Sequence, residues 1–186
     1  MIFNAVVDEN QLNVIQNRLG QFKKKTPNVV ASALNRGMSN MQANIKAEVR
    51  KEYHIKAGDI NVTLRKNRAN KSNLSASVAS VGGAIPLDKF KVSPKSVNPR
   101  RKSTISIAVK KDGAKKFKGA FMAEINGPKL FIRVKKTRLP IERLFGPSIP
   151  QMIGREEIVQ RIQLEGRETF ERRLDHEIDR ILGGAT

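Results

Sequence analysis

Histidines and carboxylates are the side chains of this chain that could carry acid–base or metal chemistry, but there are only two histidines and the carboxylates are scarce in the middle of the chain. The two histidines, His54 and His176, fall in different predicted elements, and neither lies in a recognisable motif. Because the chain has no cysteine, two histidines cannot complete the usual structural zinc site. We interpret His54 as a surface or helix-capping residue, and we place His176 on the solvated face of the last helix.

Carboxylates thin out over residues 54–140, where the only ones are Asp59, Asp88, Asp112 and Glu124. A two-metal nuclease needs clustered carboxylates, and of these four only Glu124 falls within a predicted strand. No dinucleotide fingerprint is present, and the lysine-rich run from residue 113 to 119 has neither the spacing nor the Ser or Thr of a P-loop. The sequence therefore predicts no enzyme, no cofactor and no metal site.

Cations, in contrast, are abundant and unevenly placed. The chain has 36 Lys and Arg against 17 Asp and Glu, a net charge of +19. Residues 54–140 hold 21 against 4, or +17. A solvated, solubilising face is one reading, but like charges repel in the folded state, so the imbalance favours contact with a polyanion. The candidate contacts are Arg65, Lys66, Arg68, Lys71, Arg100, Arg101, Lys102, Lys110, Lys111, Lys115, Lys116, Lys118, Lys135, Lys136 and Arg138.

These cations lack the aromatic neighbours that base stacking requires, since Tyr53 is the only tyrosine and there is no tryptophan. No recognition helix is apparent either. Any DNA contact should therefore be to phosphates, non-specific and strongly dependent on salt.

A second candidate segment is the proline-rich stretch 139–150. Pro140, Pro147 and Pro150 fix the backbone and remove donors, while the residues between them are largely apolar. Such a loop must be buried, either against its own sheet or by a neighbouring subunit, and both readings stay open. The candidate assembly interface comprises Leu144, Phe145, Gly146, Pro147, Ile149 and Pro150.

The surrounding pattern predicts an α+β fold, in which long helices pack on a small, mostly antiparallel sheet and a long helix closes the chain. We expect a single domain over 1–186, with a helical part (1–64), a basic strand-rich part (65–138), the proline-rich loop (139–150) and a C-terminal helix (151–182). No run of about 18 apolar residues occurs, so no membrane partner is expected.

Local signals refine this outline. Helices are predicted over Glu9–Phe22 and from Thr26-Pro27 to about Glu52, with Gly37 marking close packing against the first helix. Residues 53–64 suggest a helical turn with Asp59 as a possible cap. Residue-by-residue alternation predicts strands at 74–80 and 104–109, and Asn126-Gly127 is a strong hairpin signal. The segment 93–103 is expected to be a flexible basic loop.

Several of these segments together resemble the minor tail protein Z family of lambda-like siphophages and prophages. The resemblance rests on Ala33–Arg36 in an alanine-rich helix, Leu64-Arg65-Lys66, Gly119–Phe121 before a paired strand, and Leu139–Met152 before the last helix. It extends over roughly 27–182, and the order of strand, proline loop and helix is also similar to siphophage neck and tail-completion proteins.

The resemblance implies a structural virion protein, assembled in the bacterial cytoplasm, that acts in tail completion or head–tail joining near the head-proximal end of the tail. Its partners would be other tail and neck proteins, and a homo-oligomeric ring is expected in the virion from a protein that can be monomeric alone. The family supplies no catalytic residues. The alternative function is a stand-alone, non-specific nucleic-acid-binding protein.

Overall fold

The computed structural model describes residues 1–183, which alternate long helices with short strands. The helices are α1 (Glu9–Leu19), α2 (Thr26–Glu52), α3 (Ala57–Asn61), α4 (Ile149–Ile153) and α5 (Glu156–Gly183), with 3₁₀ turns at Gly20–Lys25 and Leu87–Lys89. The strands are β1 (Ile2–Val6), β2 (Leu64–Asn67), β3 (Ser75–Ser80), β4 (Ala84–Pro86), β5 (Lys91–Ser93), β6 (Ile105–Ala108), β7 (Lys115–Phe117), β8 (Ala120–Glu124), β9 (Pro128–Arg133), β10 (Ile141–Arg143) and β11 (Phe145–Ser148). The predicted α+β class is confirmed.

Every pairing among these strands is antiparallel. The described residues form two compact units, one made of residues 1–46, 64–81 and 153–183 (unit 1) and one of 47–63 and 82–152 (unit 2). Whether they make one folding domain stays a prediction.

Unit 1 is a three-stranded sheet, ordered β1-β3-β2, with helices against it. Along β3 the side chains of Ala76, Val78 and Ser80 are buried at every second position, as the alternation predicts. The amide of Asn35 on α2 donates to the Ala69 carbonyl at 2.9 Å, and its oxygen accepts from the Ala69 N–H at 3.0 Å. These two bonds fix the helix to the chain beyond β2.

The first helix begins and ends as its sequence dictates. Asp8 caps α1 by accepting from the Gln11 N–H at 2.7 Å, and the Gln11 side chain accepts from the Asp8 N–H in return. The α-helix stops at Leu19 because Gly20 adopts a positive φ of 52°, so the predicted end at Phe22 lies instead in a 3₁₀ turn.

The close packing at Gly37 is with α5, and not with α1 as predicted. A Cβ at Gly37 would lie 3.4 Å from the Cβ of Phe170, and one at Gly166 would lie 2.5 Å from the Cε of Met41. Thr169 also donates to Asn40 across the same contact at 3.2 Å. The two glycines therefore let the helix backbones approach, which gives Gly166 a packing role in the middle of α5.

Unit 2 is built from three small sheets, ordered β5-β6-β7, β10-β9-β8 and β11-β4. The β8–β9 hairpin turns at Asn126 and Gly127, whose φ angles are 51° and 90°, as the dipeptide predicts. Ile105, Ile107 and Leu130 are fully buried side chains of this unit.

Three further local expectations were wrong. The segment 139–150 is not a loop, because it contains β10, β11 and the start of α4. The closing helix is broken, since α4 ends at Ile153 and α5 begins at Glu156. Asp59 does not cap a helix; it lies within the first turn of α3, whose N-cap position is Lys56.

Candidate polyanion-binding and assembly surfaces

The predicted cationic contacts are mostly accessible, but they divide between the two units. Arg65, Lys66, Arg68 and Lys71 lie on or after β2 in unit 1, and the other candidates lie in unit 2. Unit 2 contains 20 Lys and Arg against 7 Asp and Glu, a net charge of +13, whereas unit 1 carries +6. Exposed members are Arg65, Arg68, Lys71, Arg100, Lys102, Lys111, Lys115, Lys116, Lys118, Lys135, Lys136 and Arg138.

Arg101 is held by its own loop. Its guanidinium donates to the carbonyls of Pro94 and Ser96 and to the Ser96 hydroxyl. Asn98 accepts from the Arg100 N–H at 3.0 Å, which forms an Asx turn in the same segment. Arg101 therefore organises the loop that presents Arg100 and Lys102.

Lys66 is half-buried in β2, and its ammonium donates to the Ser39 hydroxyl at 3.2 Å. Burial, with the nearby charges of Arg68 and Lys46, lowers the pKa of Lys66 from its ordinary value. This group of like charges is one that a bound anion would stabilise.

The lysines on β7 can be explained by strand position as well as by contact with a polyanion. β7 is an edge strand of its sheet, and charged side chains on an edge discourage pairing with other chains. This accounts for Lys115 and Lys116 but not for the cations of loops, such as Lys102, Lys118 and Lys136.

The predicted assembly segment and one lysine of β7, Lys115, line the same groove, although the sequence presents them as separate features. The groove has a volume of about 700 Å³ and lies in unit 2 between β11 and the β6–β7 turn. Tyr53, Leu87, Ile107, Phe117 and Leu144 give it an apolar lining, while Lys110 and Lys115 are its cations and Asp112 its acid. The groove can therefore accept an apolar segment that carries negative charge.

Members of the predicted assembly interface occupy different environments. Phe145 is 54% exposed at the groove, whereas Ile149 is 0% exposed and has no surface to offer a partner. Leu144 is half-buried, donating to the Leu130 carbonyl at 3.1 Å and accepting from the Leu87 N–H at 2.9 Å. Pro147 and Pro150 are half-buried. Phe145 and Pro147 are thus the side chains available at the groove.

Gly146 serves packing within the unit. A Cβ there would lie 2.8 Å from a methyl of Leu87 and 3.2 Å from the ring of Phe90, both of which are buried. β11 pairs with β4 at this point, with a register shift between Gly146 and Ser148. The glycine lets the strand lie close to the core and leaves the neighbouring Phe145 facing outward.

A largely buried ion pair connects two segments of unit 2 near the groove. Arg143 on β10 donates to both carboxylate oxygens of Asp88, with distances of 3.0 to 3.1 Å. The side chain of Asp88 is 7% exposed and that of Arg143 is 28% exposed. The pair links β10 to the turn that precedes β5.

Replacing Arg143 with Met should destabilise the protein by about 3 kcal/mol, because the Asp88 carboxylate is left buried without its partner. Urea unfolding followed by circular dichroism measures this. As a matched control, Arg167→Met breaks the exposed pair between Arg167 and Glu171 and should cost under about 0.5 kcal/mol. Equal losses of unfolding free energy in the two variants would show that burial does not determine how much the Asp88–Arg143 pair stabilises the protein.

Among residues 1–183, no three His, Cys, Asp or Glu side chains come together in a way that could hold a metal ion. His54 is half-buried and His176 is exposed on α5. Within the same residues, none of the helices has the length and apolar character needed to cross a membrane.

The family model described as prophage minor tail protein Z matches residues 12–183, nearly the whole chain. No curated protein and no solved structure matches.

Proposed function

The chain belongs to the prophage minor tail protein Z family, and from this we propose that it acts in tail completion or head–tail joining, near the head-proximal end of the tail. The family makes it a structural protein of a phage tail, and the family match is the observation that carries the proposal. The position in the tail, the assembly step and a non-enzymatic role go beyond that match.

Within this proposal, the groove around Phe145 is the surface for other tail or neck proteins. It combines an exposed aromatic ring, an apolar lining and two lysines in one concave site. Interfaces draw most of their binding energy from such aromatic anchors in pockets. A homo-oligomeric ring in the virion could use this groove between neighbouring copies.

The exposed cations of unit 2 face DNA or the acidic surface of a neighbouring protein. A phage tail encloses a lumen through which DNA passes, so a net charge of +13 in one compact unit would be neutralised there. The loops at 94–104 and 134–140 and the strand β7 present long side chains to solvent, where they can reach phosphates.

The second candidate function, a stand-alone non-specific nucleic-acid-binding protein, is favoured by the same charge. It requires no groove and no partner. The two functions differ in one testable respect: a tail protein is part of the phage particle, and a stand-alone DNA binder is not.

We expect gold-labelled, tagged protein to mark the head–tail junction of purified phage particles under the electron microscope. Label there supports the tail role, because a stand-alone DNA binder has no reason to occupy one end of the tail. A tag on a known tail-tip protein serves as the positional control. Protein left in the lysate and absent from particles would contradict the proposal and favour the stand-alone binder.

A further inference from the structure

A shallow depression in unit 2 gathers cations from three separate stretches of chain. It has a volume of about 390 Å³ and is distinct from the groove at Phe145. We call it the lysine bowl and define it by the end of α2 with the segment that follows it, by residues 89–91 at the start of β5, and by the turn after β6. Its charged and titratable lining comprises Arg50, His54, Lys56, Lys89, Lys91 and Lys111.

Backbone hydrogen bonds hold these stretches in place. The His54 N–H donates to the Val109 carbonyl at 2.9 Å, and the Lys111 N–H donates to the Glu52 carbonyl at 2.8 Å. Tyr53, which is buried, forms the bridge between them by pairing with Lys110. The cations therefore stand on an anchored backbone, so their convergence belongs to the fold.

Little negative charge compensates them. Asp59 on α3 pairs with Lys89 at 3.1 Å, and within residues 1–183 the other four cations make no salt bridge. The other carboxylates of these stretches are the half-buried Glu52, Asp88, which pairs with Arg143, and the exposed Asp112 beside Lys111. A helix C-terminus favours cations and so explains Arg50. It does not explain Lys91, which lies on β5, or Lys111, which lies in the turn that follows β6.

We propose that the lysine bowl binds a phosphate group, presented either by free phosphate or by the backbone of DNA. A concave site lined by five cations offers many N–H donors to one tetrahedral oxyanion, and charge-assisted bonds of this kind are the strong ones. Only Lys111 of these residues was recognised from the sequence. The site does not depend on the tail role, since phosphate binding would persist in a protein that never enters a particle.

His54 provides a built-in reporter of occupancy. Partial burial, with the charges of Lys91 and Lys111, lowers the pKa of His54 from its ordinary value. The other charged groups of the surrounding elements are Arg50, Lys51, Glu52, Lys56, Asp59, Asp88, Lys89, Lys110 and Asp112. A bound anion offsets the cations and favours the imidazolium, so it must raise the pKa of His54. By linkage, the anion binds more tightly as the pH falls through that pKa.

The test is a histidine-selective NMR titration of the full chain. His54 and His176 are its only histidines, and His176 lies exposed on α5, so it serves as an internal control. The pKa of each is measured in chloride alone, in inorganic phosphate and with a short DNA duplex, at equal ionic strength. We expect the pKa of His54 to rise with phosphate or DNA while that of His176 stays constant.

Substitutions locate the binding. Lys91→Ala with Lys111→Ala should raise the pKa of His54 in the free protein and weaken phosphate binding by about tenfold or more. The control, Lys23→Ala with Lys24→Ala, makes the same change in net charge at an exposed turn of unit 1. It should leave both quantities unchanged.

The possible results separate the phosphate sources. A response to free phosphate and to DNA, or to either one, supports the site and identifies which form it takes. No response to either overturns the proposal, as does an equal response in chloride or one that persists in the Lys91 and Lys111 variant. A response to polyglutamate alone would also overturn it, since the site would then recognise carboxylates.

Discussion

Phe145→Ser is expected to exclude the protein from phage particles while leaving its fold and its affinity for DNA unchanged. The ring is 54% exposed at the rim of an apolar groove, so its removal costs little in the isolated protein. In an interface, an aromatic anchor of this kind contributes about 2–4 kcal/mol, which corresponds to about 30- to 1000-fold in affinity. Complementation of a phage that lacks its own copy, scored by plaques and by labelled protein in particles, measures the loss.

A matched control is Leu164→Ser, which removes another exposed apolar side chain, 60% accessible, from α5 in unit 1. It should support plaques at the wild-type level. Pro147→Ala tests the same groove at a second residue and should also impair assembly. Normal plaques from both Phe145→Ser and Pro147→Ala would rule the groove out as an assembly surface, whatever the position of the protein in the tail.

The long helices could be predicted because their burial follows a local period. Val30, Leu34, Met38, Ile45 and Val49 recur at helical spacing, and all five are buried in α2. The Asn126-Gly127 turn could be predicted for a similar reason, since its backbone geometry is required by the two residues themselves. Local signals therefore gave the element types and much of the order.

Contacts distant in sequence could not be predicted from these signals. β4 and β11 are strands of three and four residues that each contain proline, and they pair across about sixty residues. Neither has the alternation that identifies a strand, which is why the segment 139–150 was interpreted as a loop. The partner of Gly37 was misassigned for the same reason, since its own spacing shows a need for close packing but not which helix packs there.

The candidate sites, like the fold, could be predicted only where they depend on local sequence. Counting charges identified the exposed lysines, because a long cation in a turn or on an edge strand is accessible in nearly any fold. It did not reveal that Lys115 shares a groove with Phe145, or that Arg50 and Lys91 converge on His54. Such groupings depend on how the short strands of unit 2 pair, and no local pattern in the chain records that.

Reversing the charges of Lys115, Lys116 and Lys118 to Glu is expected to weaken binding to double-stranded DNA by at least about 100-fold in about 50 mM salt. The three ammonium groups are exposed on and beside β7 in the unit that carries +13. If each contacts a phosphate, the slope of log affinity against log salt should fall in magnitude by about 3. Fluorescence anisotropy over a series of salt concentrations measures both quantities.

Lys23, Lys24 and Lys25 supply the control, because reversing these three exposed lysines changes the net charge by the same amount at a turn of unit 1. If binding depended only on total charge, the two triple variants would lose affinity equally, and the β7 face would not be the DNA contact. Since Lys115 also lines the groove at Phe145, the double variant Lys116→Glu with Lys118→Glu separates the two surfaces. It should lose most of the DNA affinity yet still enter particles if DNA contact and assembly use different faces, because the groove lining is then intact.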